Sequence, residues 1–197
     1  MLNSPAQPPP MPVTVPHTTL AQPAYWLSSV QLQATPTAAL SAWLFDQGSL
    51  TQRLTRLADQ QFSVLPLQEG WHLLRDDECH ALAVPAGSQG WVREVYLRGH
   101  QQPWVFARSV AARSALQGSG LNLGELGSRS LGELLFSDQA FTRGSIQVCR
   151  YPAAWLPLPV RSEQLWARRS CFQRGALAVL VAEVFLPALW QAANVDV

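Results

Sequence analysis

Hydrophobic positions change their spacing partway along this chain, and the change marks a switch from helices to strands. Between residues 40 and 57 they recur at helical intervals: Leu40, Trp43 and Leu44 share one face, and Leu50, Leu54 and Leu57 form a second stripe. The spacing predicts a helix introduced by Thr35 and Pro36, running to residue 45 and stopped by Gly48. A second helix follows at once, with Ser49 as N-cap and Gln52 three residues on. Beyond Gln60 the pattern turns alternating or continuously apolar. Residues 62–67 and 71–74 read as a hairpin around Glu69-Gly70, and the polar stretch 75–80 leads to a turn over 85–90. Two strong strands come next, 91–97 and 104–110, joined by a short loop over 98–103. The Gly-rich segment 114–127 reads as a loop, and 130–136 as a short helix opened by a Ser-x-x-Glu box at Ser130 and Glu133. Strands at 146–150, 165–172 and 177–185 follow, the last two linked by a turn at Arg174-Gly175. Short turns between strands, with helices set apart, predict a single α+β domain on an antiparallel sheet.

Residues 1–24 stand outside this pattern. Pro8-Pro9-Pro10, Pro12 and Pro16 deny the stretch both helix and central strand, so it reads as an extended, Pro-rich tail before a domain over 25–197. Its start lacks the positive charge and unbroken apolar run of a signal peptide. The most hydrophobic segment, 176–186, is shorter than the roughly 20 residues that span a bilayer and contains Glu183, so it reads as a core strand. With 197 residues, 48% of them hydrophobic and 14% charged, and with eight Trp, the chain can bury a real core. A net charge of +1 and a pI near 7.8 argue against nucleic acid or an anionic membrane as a partner. The longest basic run is the pair Arg168-Arg169, expected at a strand start or the surface. These features predict a cytoplasmic protein.

Several chemistries lack their residues. Cys79, Cys149 and Cys171, like the four His, are too scattered for a disulfide framework or a metal site, and three reduced thiols are expected. There is no G-x-S-x-G elbow, P-loop or dinucleotide fingerprint. What remains is a set of charged residues inside apolar strands. Alternation puts Arg93 on the same face as Trp91, Val95 and Leu97, where a guanidinium needs an anionic partner. That partner is an internal carboxylate or a ligand, unless the long side chain reaches solvent. Glu183, apolar on both sides, poses the matching question: it either neutralises Arg93 in the core or serves as a general acid or base. The free first amides of the two capped helices, Leu50 and Leu131, are candidate anion donors, although most helix starts hold only water. Arg108, in line with Trp104 and Phe106, is a second inward-looking arginine, better suited to packing or support than to catalysis.

The fragments GSLTQRL, GWVREVYLRGHQQPWVFARSV, SLGELLF and LVAEVFLP, in this order and spacing, closely resemble the chorismate pyruvate-lyases of bacterial ubiquinone biosynthesis. The resemblance runs from about Leu40 to Pro187. It implies an antiparallel sheet with helical flaps enclosing a buried site, and a carbon–oxygen lyase converting chorismate to 4-hydroxybenzoate and pyruvate. No metal or organic cofactor is implied, and a monomer is expected. By motif matching, Arg93 and the backbone amides of Leu50 and Leu131 bind the ring carboxylate, while Glu183 meets the ring hydroxyl. The family often has methionine where this chain has Leu50, a difference that changes pocket shape more than a backbone contact. Arg108 is left as a supporting residue that could meet the second carboxylate. The ligand-sensing domains of some GntR-type repressors look similar in fold, so the alternative is a non-catalytic sensor of a small aromatic acid. No basic helix-turn-helix segment precedes the core, which counts against a regulator.

Overall fold

The computed structural model describes residues 24–117, 119–121, 124 and 126–196. Two helices come first. Helix α1 (Ala38–Leu44) is capped by Thr37, whose hydroxyl accepts from the Leu40 amide, and α2 (Leu50–Leu57) is capped by Ser49, which accepts from Gln52. Their stripes bury Leu40, Trp43, Leu44, Leu50 and Leu54, as their spacing requires. Seven strands then form one antiparallel sheet: β1 (Phe62–Leu73), β2 (Gln89–Gly99), β3 (Gln102–Ala112), β4 (Thr142–Arg143), β5 (Gln147–Arg150), β6 (Trp166–Arg174) and β7 (Leu177–Phe185). The order is β1-β2-β3-β7-β6-β4, and β5 pairs with β6 further along the edge that β4 occupies. Four more helices are α3 (Asp76–Ala81), α4 (Arg113–Leu116), α5 (Leu131–Ser137) and α6 (Pro187–Ala193). The fold is α+β, as the pattern predicts. The Pro-rich tail, apart from Ala24, lies outside the described residues.

Three expectations are corrected. Residues 62–73 are one strand of 12 residues, not a hairpin at Glu69-Gly70. Its break in alternation is a bulge, since pairing with β2 passes from Pro66↔Val95 to Gln68↔Glu94 and leaves Leu67 unpaired. Because β2 offers partners along its whole length, Glu69 and Gly70 stay extended opposite Arg93 and Val92. The polar stretch after β1 contains a helix, α3, and the Gly-rich segment begins with the one-turn α4. The pair Arg168-Arg169 is neither a strand start nor surface: it sits inside β6, with Arg168 1% and Arg169 6% exposed. Alternation sends the two side chains through opposite faces of the sheet.

The turn between β2 and β3 is tight. His100 and Gln101 have φ of 49° and 66°, the left-handed conformation that suits a two-residue hairpin between twisted strands. Just before it, a Cβ on Gly99 would run into the indole of Trp104.

Helices and loops cover both faces. The face carrying Val92, Tyr96, Phe106 and Val110 packs under α3 and the segment from Tyr151 to Leu165. Its charged residues form a closed set. Arg108 donates to both oxygens of Glu78 (2.6 and 3.1 Å) and to Glu94 (2.8 Å); Arg75 pairs with Glu78 (2.8 Å) and Arg169 with Asp77 (3.2 Å). Burial pushes the Glu78 carboxyl up, but the Arg108 bonds and the charges of Arg75 and Arg108 outweigh it, and the net shift is below the usual carboxylate range.

A group with a depressed folded pKa contributes stability above its unfolded value, near 4.3, and that contribution is lost as pH falls through the folded value. Glu78→Gln is therefore expected to lower unfolding free energy by about 3 kcal/mol at neutral pH. The gap to wild type should begin to narrow as pH falls below about 4.3 and keep shrinking in more acid urea titrations at stepped pH.

Candidate active site

The other face carries the predicted site residues. Register places Arg93 opposite Ser109, Ser109 opposite Val181, and Val181 opposite Ser170; one row along, Val95, Ala107, Glu183 and Arg168 align. Paired residues in an antiparallel sheet project to the same side, so Arg93, Ser109, Ser170, Glu183 and Arg168 share one face. All but Glu183 are almost fully buried. They form a polar band between two apolar clusters. One cluster holds Val95, Leu97, Val105 and Phe185 under α1, α2 and α6; the other holds Ala111, Val179, Val181 and Phe172 under α5.

Arg93 is 2% exposed, and its donors are divided. Nη2 donates to the carbonyls of Gly127 (2.6 Å) and Arg129 (3.0 Å), which fixes the loop leading into α5. Nε lies 2.7 Å from Glu69 Oε1, close enough for an ion pair although the N–H does not point at the oxygen. Nη1 is sealed from solvent with no hydrogen-bond partner among the described residues. Burial lowers the guanidinium's pKa, and the Glu69 charge opposes that shift. A buried donor without an acceptor is costly, and a ligand oxygen would relieve it.

The starts of α2 and α5 meet beside Arg93. Thr51 and Ser130 share a hydrogen bond of 2.7 Å, and Ser130 caps α5 by accepting from the Glu133 amide. Leu131 and Ser130 line a cavity with Arg93, Ser109, Ala107, Val64, Val95 and Leu97. Its volume is about 20 Å³, the room of roughly one water. Leu50 packs in the adjoining cluster with Val95, Leu97 and Ala107. A wider cleft of about 580 Å³ between α2, β1 and α5 shares Val64 and Ser130 with the cavity.

Glu183 does not neutralise Arg93. Its Oε2 accepts from Arg168 Nε at 2.6 Å, and Arg168 Nη1 also donates to the carbonyls of Trp43 (3.0 Å) and Asp46 (3.1 Å) at the end of α1. Arg108, expected as a supporting residue of this site, faces the opposite side of the sheet and holds α3. The structure thus brings Arg93, Leu131, Leu50 and Glu183 to one face and excludes Arg108. Sequence reading missed Glu69, Ser109, Arg168, Ser170 and Arg143. Arg168 carried a usable signal, since adjacent arginines inside an apolar strand cannot both face solvent.

Burial pushes the Cys149 and Cys171 thiols up, so neither is an activated nucleophile. All three cysteines are free. Among the described residues no three His, Cys, Asp or Glu side chains are grouped to hold a metal, and no helix is long and apolar enough to cross a membrane.

Fold and site together define an α+β protein with a cationic, hydrogen-bonding band beneath two helix starts. The chain belongs to the chorismate lyase family, whose sequence profile matches residues 20–195. It is 68% identical over 172 residues to a Pseudomonas aeruginosa protein named "Probable chorismate pyruvate-lyase", covering 87% of this chain and 96% of that one. A Pseudomonas syringae pv. tomato protein of the same name is 65% identical over 167 residues, covering 85% and 90%. Solved structures with a similar outline include a GntR-family regulator from Bacillus cereus (TM-score 0.46, 9% identity, 65% of this chain and 93% of that one). The effector-binding domain of the Bacillus subtilis trehalose repressor also has a TM-score of 0.46, with 9% identity and 63% and 90% coverage.

Removing Glu69 strands the Arg93 charge in a nearly closed setting. Glu69→Ala is expected to cost about 2 kcal/mol of stability, less than a fully buried pair because Glu69 is 23% exposed. Denaturant unfolding at neutral pH measures it.

Proposed function

We propose that this protein converts chorismate to 4-hydroxybenzoate and pyruvate. The observation that carries the reading is the Arg93 side chain, an almost fully buried guanidinium with an unpaired donor beside two helix starts, in a chain of the chorismate lyase family. In this reading Arg93 Nη1 and the amides of Leu50 and Leu131 receive the ring carboxylate, and Glu183 accepts a hydrogen bond from the C4 hydroxyl. Sheet geometry supports the pairing. Two strand spacings and two residue steps separate Arg93 from Glu183, roughly 12 Å between Cα atoms. A 4-hydroxybenzoate with a hydrogen bond at either end spans about the same length. The cavity holds about 20 Å³, so the ring enters only if α2 and α5 part, and the neighbouring cleft is the natural approach.

The reaction breaks the C3–O ether bond. Its oxygen becomes the keto oxygen of pyruvate, the C4 hydrogen reaches the enolpyruvyl methylene to give a methyl group, and the ring becomes aromatic. Aromatisation drives the step, so positioning and electrostatic stabilisation are the tasks left to the protein. Glu183 Oε2 already accepts from Arg168 Nε at 2.6 Å, so that oxygen is committed to holding a guanidinium. This favours an orienting role for Glu183, with hydrogen passing directly from C4 to the methylene. The family resemblance further supports a cytoplasmic monomer at the head of ubiquinone biosynthesis, needing no cofactor.

Incubation of the purified protein with chorismate should release pyruvate and 4-hydroxybenzoate in equal amounts. Binding of 4-hydroxybenzoate without pyruvate release would instead favour a sensor. Arg93→Ala should weaken 4-hydroxybenzoate binding at least about 100-fold in calorimetry, and unchanged affinity would sink the carboxylate assignment. Glu183→Gln should keep turnover within about tenfold of wild type, whereas loss of a general base costs roughly 100-fold or more.

A further inference from the structure

The polar band continues past Glu183 to the far edge of the sheet. Arg143, on β4, pairs in register with Phe172 and so projects to the Arg93 face. Its Nε donates to Ser170 (2.8 Å), and its Nη1 donates to the carbonyls of Asp46 (3.3 Å) and Gln47 (3.2 Å). Nη2 takes part in none of these bonds. All three acceptors are neutral, and among the described residues no carboxylate lies within ion-pair distance of Arg143.

Charge makes the position unusual. Around Glu183 three guanidiniums, Arg53, Arg143 and Arg168, face two carboxylates, Asp46 and Glu183. Asp46 is taken by Arg53 at 3.0 Å and Glu183 by Arg168 at 2.6 Å, which leaves Arg143 as the surplus cation among the described residues. Burial, and then the neighbouring Arg168, lower the Arg143 pKa, with only partial relief from Glu183 and Asp46. The rings of Phe136 and Phe172 flank the guanidinium at 5.5 and 5.4 Å and offset part of its burial, but they carry no net charge, so an arriving anion would still stabilise it. Among the described residues the ion network on the opposite face has no such surplus: Arg75, Arg108 and Arg169 face Asp77, Glu78 and Glu94.

Chorismate supplies the missing charge in the right place. Its second carboxylate hangs from the ether on C3, next to the carbon bearing the hydroxyl, and so at the Glu183 end rather than the Arg93 end. We propose that Arg143 binds the enolpyruvyl carboxylate of the substrate, so that the site holds one anion at each end of its polar band. The assignment rests on the lyase reading of the same site. It separates substrate from aromatic product, because 4-hydroxybenzoate has no group for Arg143 to hold. The same guanidinium retains the carboxylate of pyruvate as the C3–O bond breaks.

The test compares ligands with and without the second carboxylate. In Arg143→Gln the KM for chorismate should rise at least about tenfold, while the Kd of 4-hydroxybenzoate stays within about twofold of wild type. Arg143→Lys keeps the charge and should recover part of the loss. An unchanged chorismate KM, or equal weakening of both ligands, overturns the proposal. Should the variants fail to fold, wild type decides the matter. An unreactive analogue, 3-(carboxymethoxy)-4-hydroxybenzoate, should bind at least about tenfold more tightly than its side-chain amide, and equal affinity overturns the proposal. If wild type binds 4-hydroxybenzoate but ignores the side-chain charge, only the Arg143 assignment falls. If it neither binds 4-hydroxybenzoate nor consumes chorismate, the lyase reading falls with it.

Discussion

A guanidinium in the middle of a sheet face forces the structure around it. Arg93 cannot leave the sheet, because its strand is paired on both sides, and it cannot stay there without acceptors. Two of its needs are met by distant chain: the carbonyls of Gly127 and Arg129, and the carboxylate of Glu69. Meeting them sets where α5 begins and keeps β1 extended past the point where its sequence suggests a turn. Nη1 is left without an acceptor among the described residues, and Arg93 lines the cavity, which makes this place a site rather than a piece of core.

The same principle runs across the sheet with different outcomes. On the face under α3, guanidiniums and carboxylates that are buried or partly buried occur in equal number among the described residues and pair with one another. The network fastens a short helix that its own six residues could not hold. On the Arg93 face the cations outnumber the carboxylates among the described residues, and donors there are left over at Arg93 and Arg143. Balanced burial of charge supports structure, whereas unbalanced burial stores an affinity for anions. Arg108 and Arg93 lie on neighbouring strands, yet they serve these two different ends because alternation turns them to opposite faces.

Periodicity was enough to find most of the elements. The stripes of α1 and α2, the Ser49 and Ser130 caps, and the strands β2, β3, β5, β6 and β7 are local in origin, so the chain displays them before it folds. Residues 62–73 deceived for a physical reason: Glu69-Gly70 has turn chemistry, but strand pairing with β2 outweighs a local turn preference. Helix α3 was hidden because its stability comes from Arg108 across the fold rather than from an apolar stripe.

The site divides along the same line. Arg93 and Glu183 inside apolar strands, two serine-capped helix starts, and four ordered motifs that resemble one enzyme family are all legible in the linear chain. These are properties of a single strand, a single helix start or a linear order. Which groups pair emerges only on folding: Arg93 with Glu69, Glu183 with Arg168, Arg108 with Glu78, and Arg143 with no carboxylate among the described residues. Partner choice depends on sheet order and register between strands far apart in the chain. No local pattern carries that information, because the energy that selects a partner exists only once the strands have met.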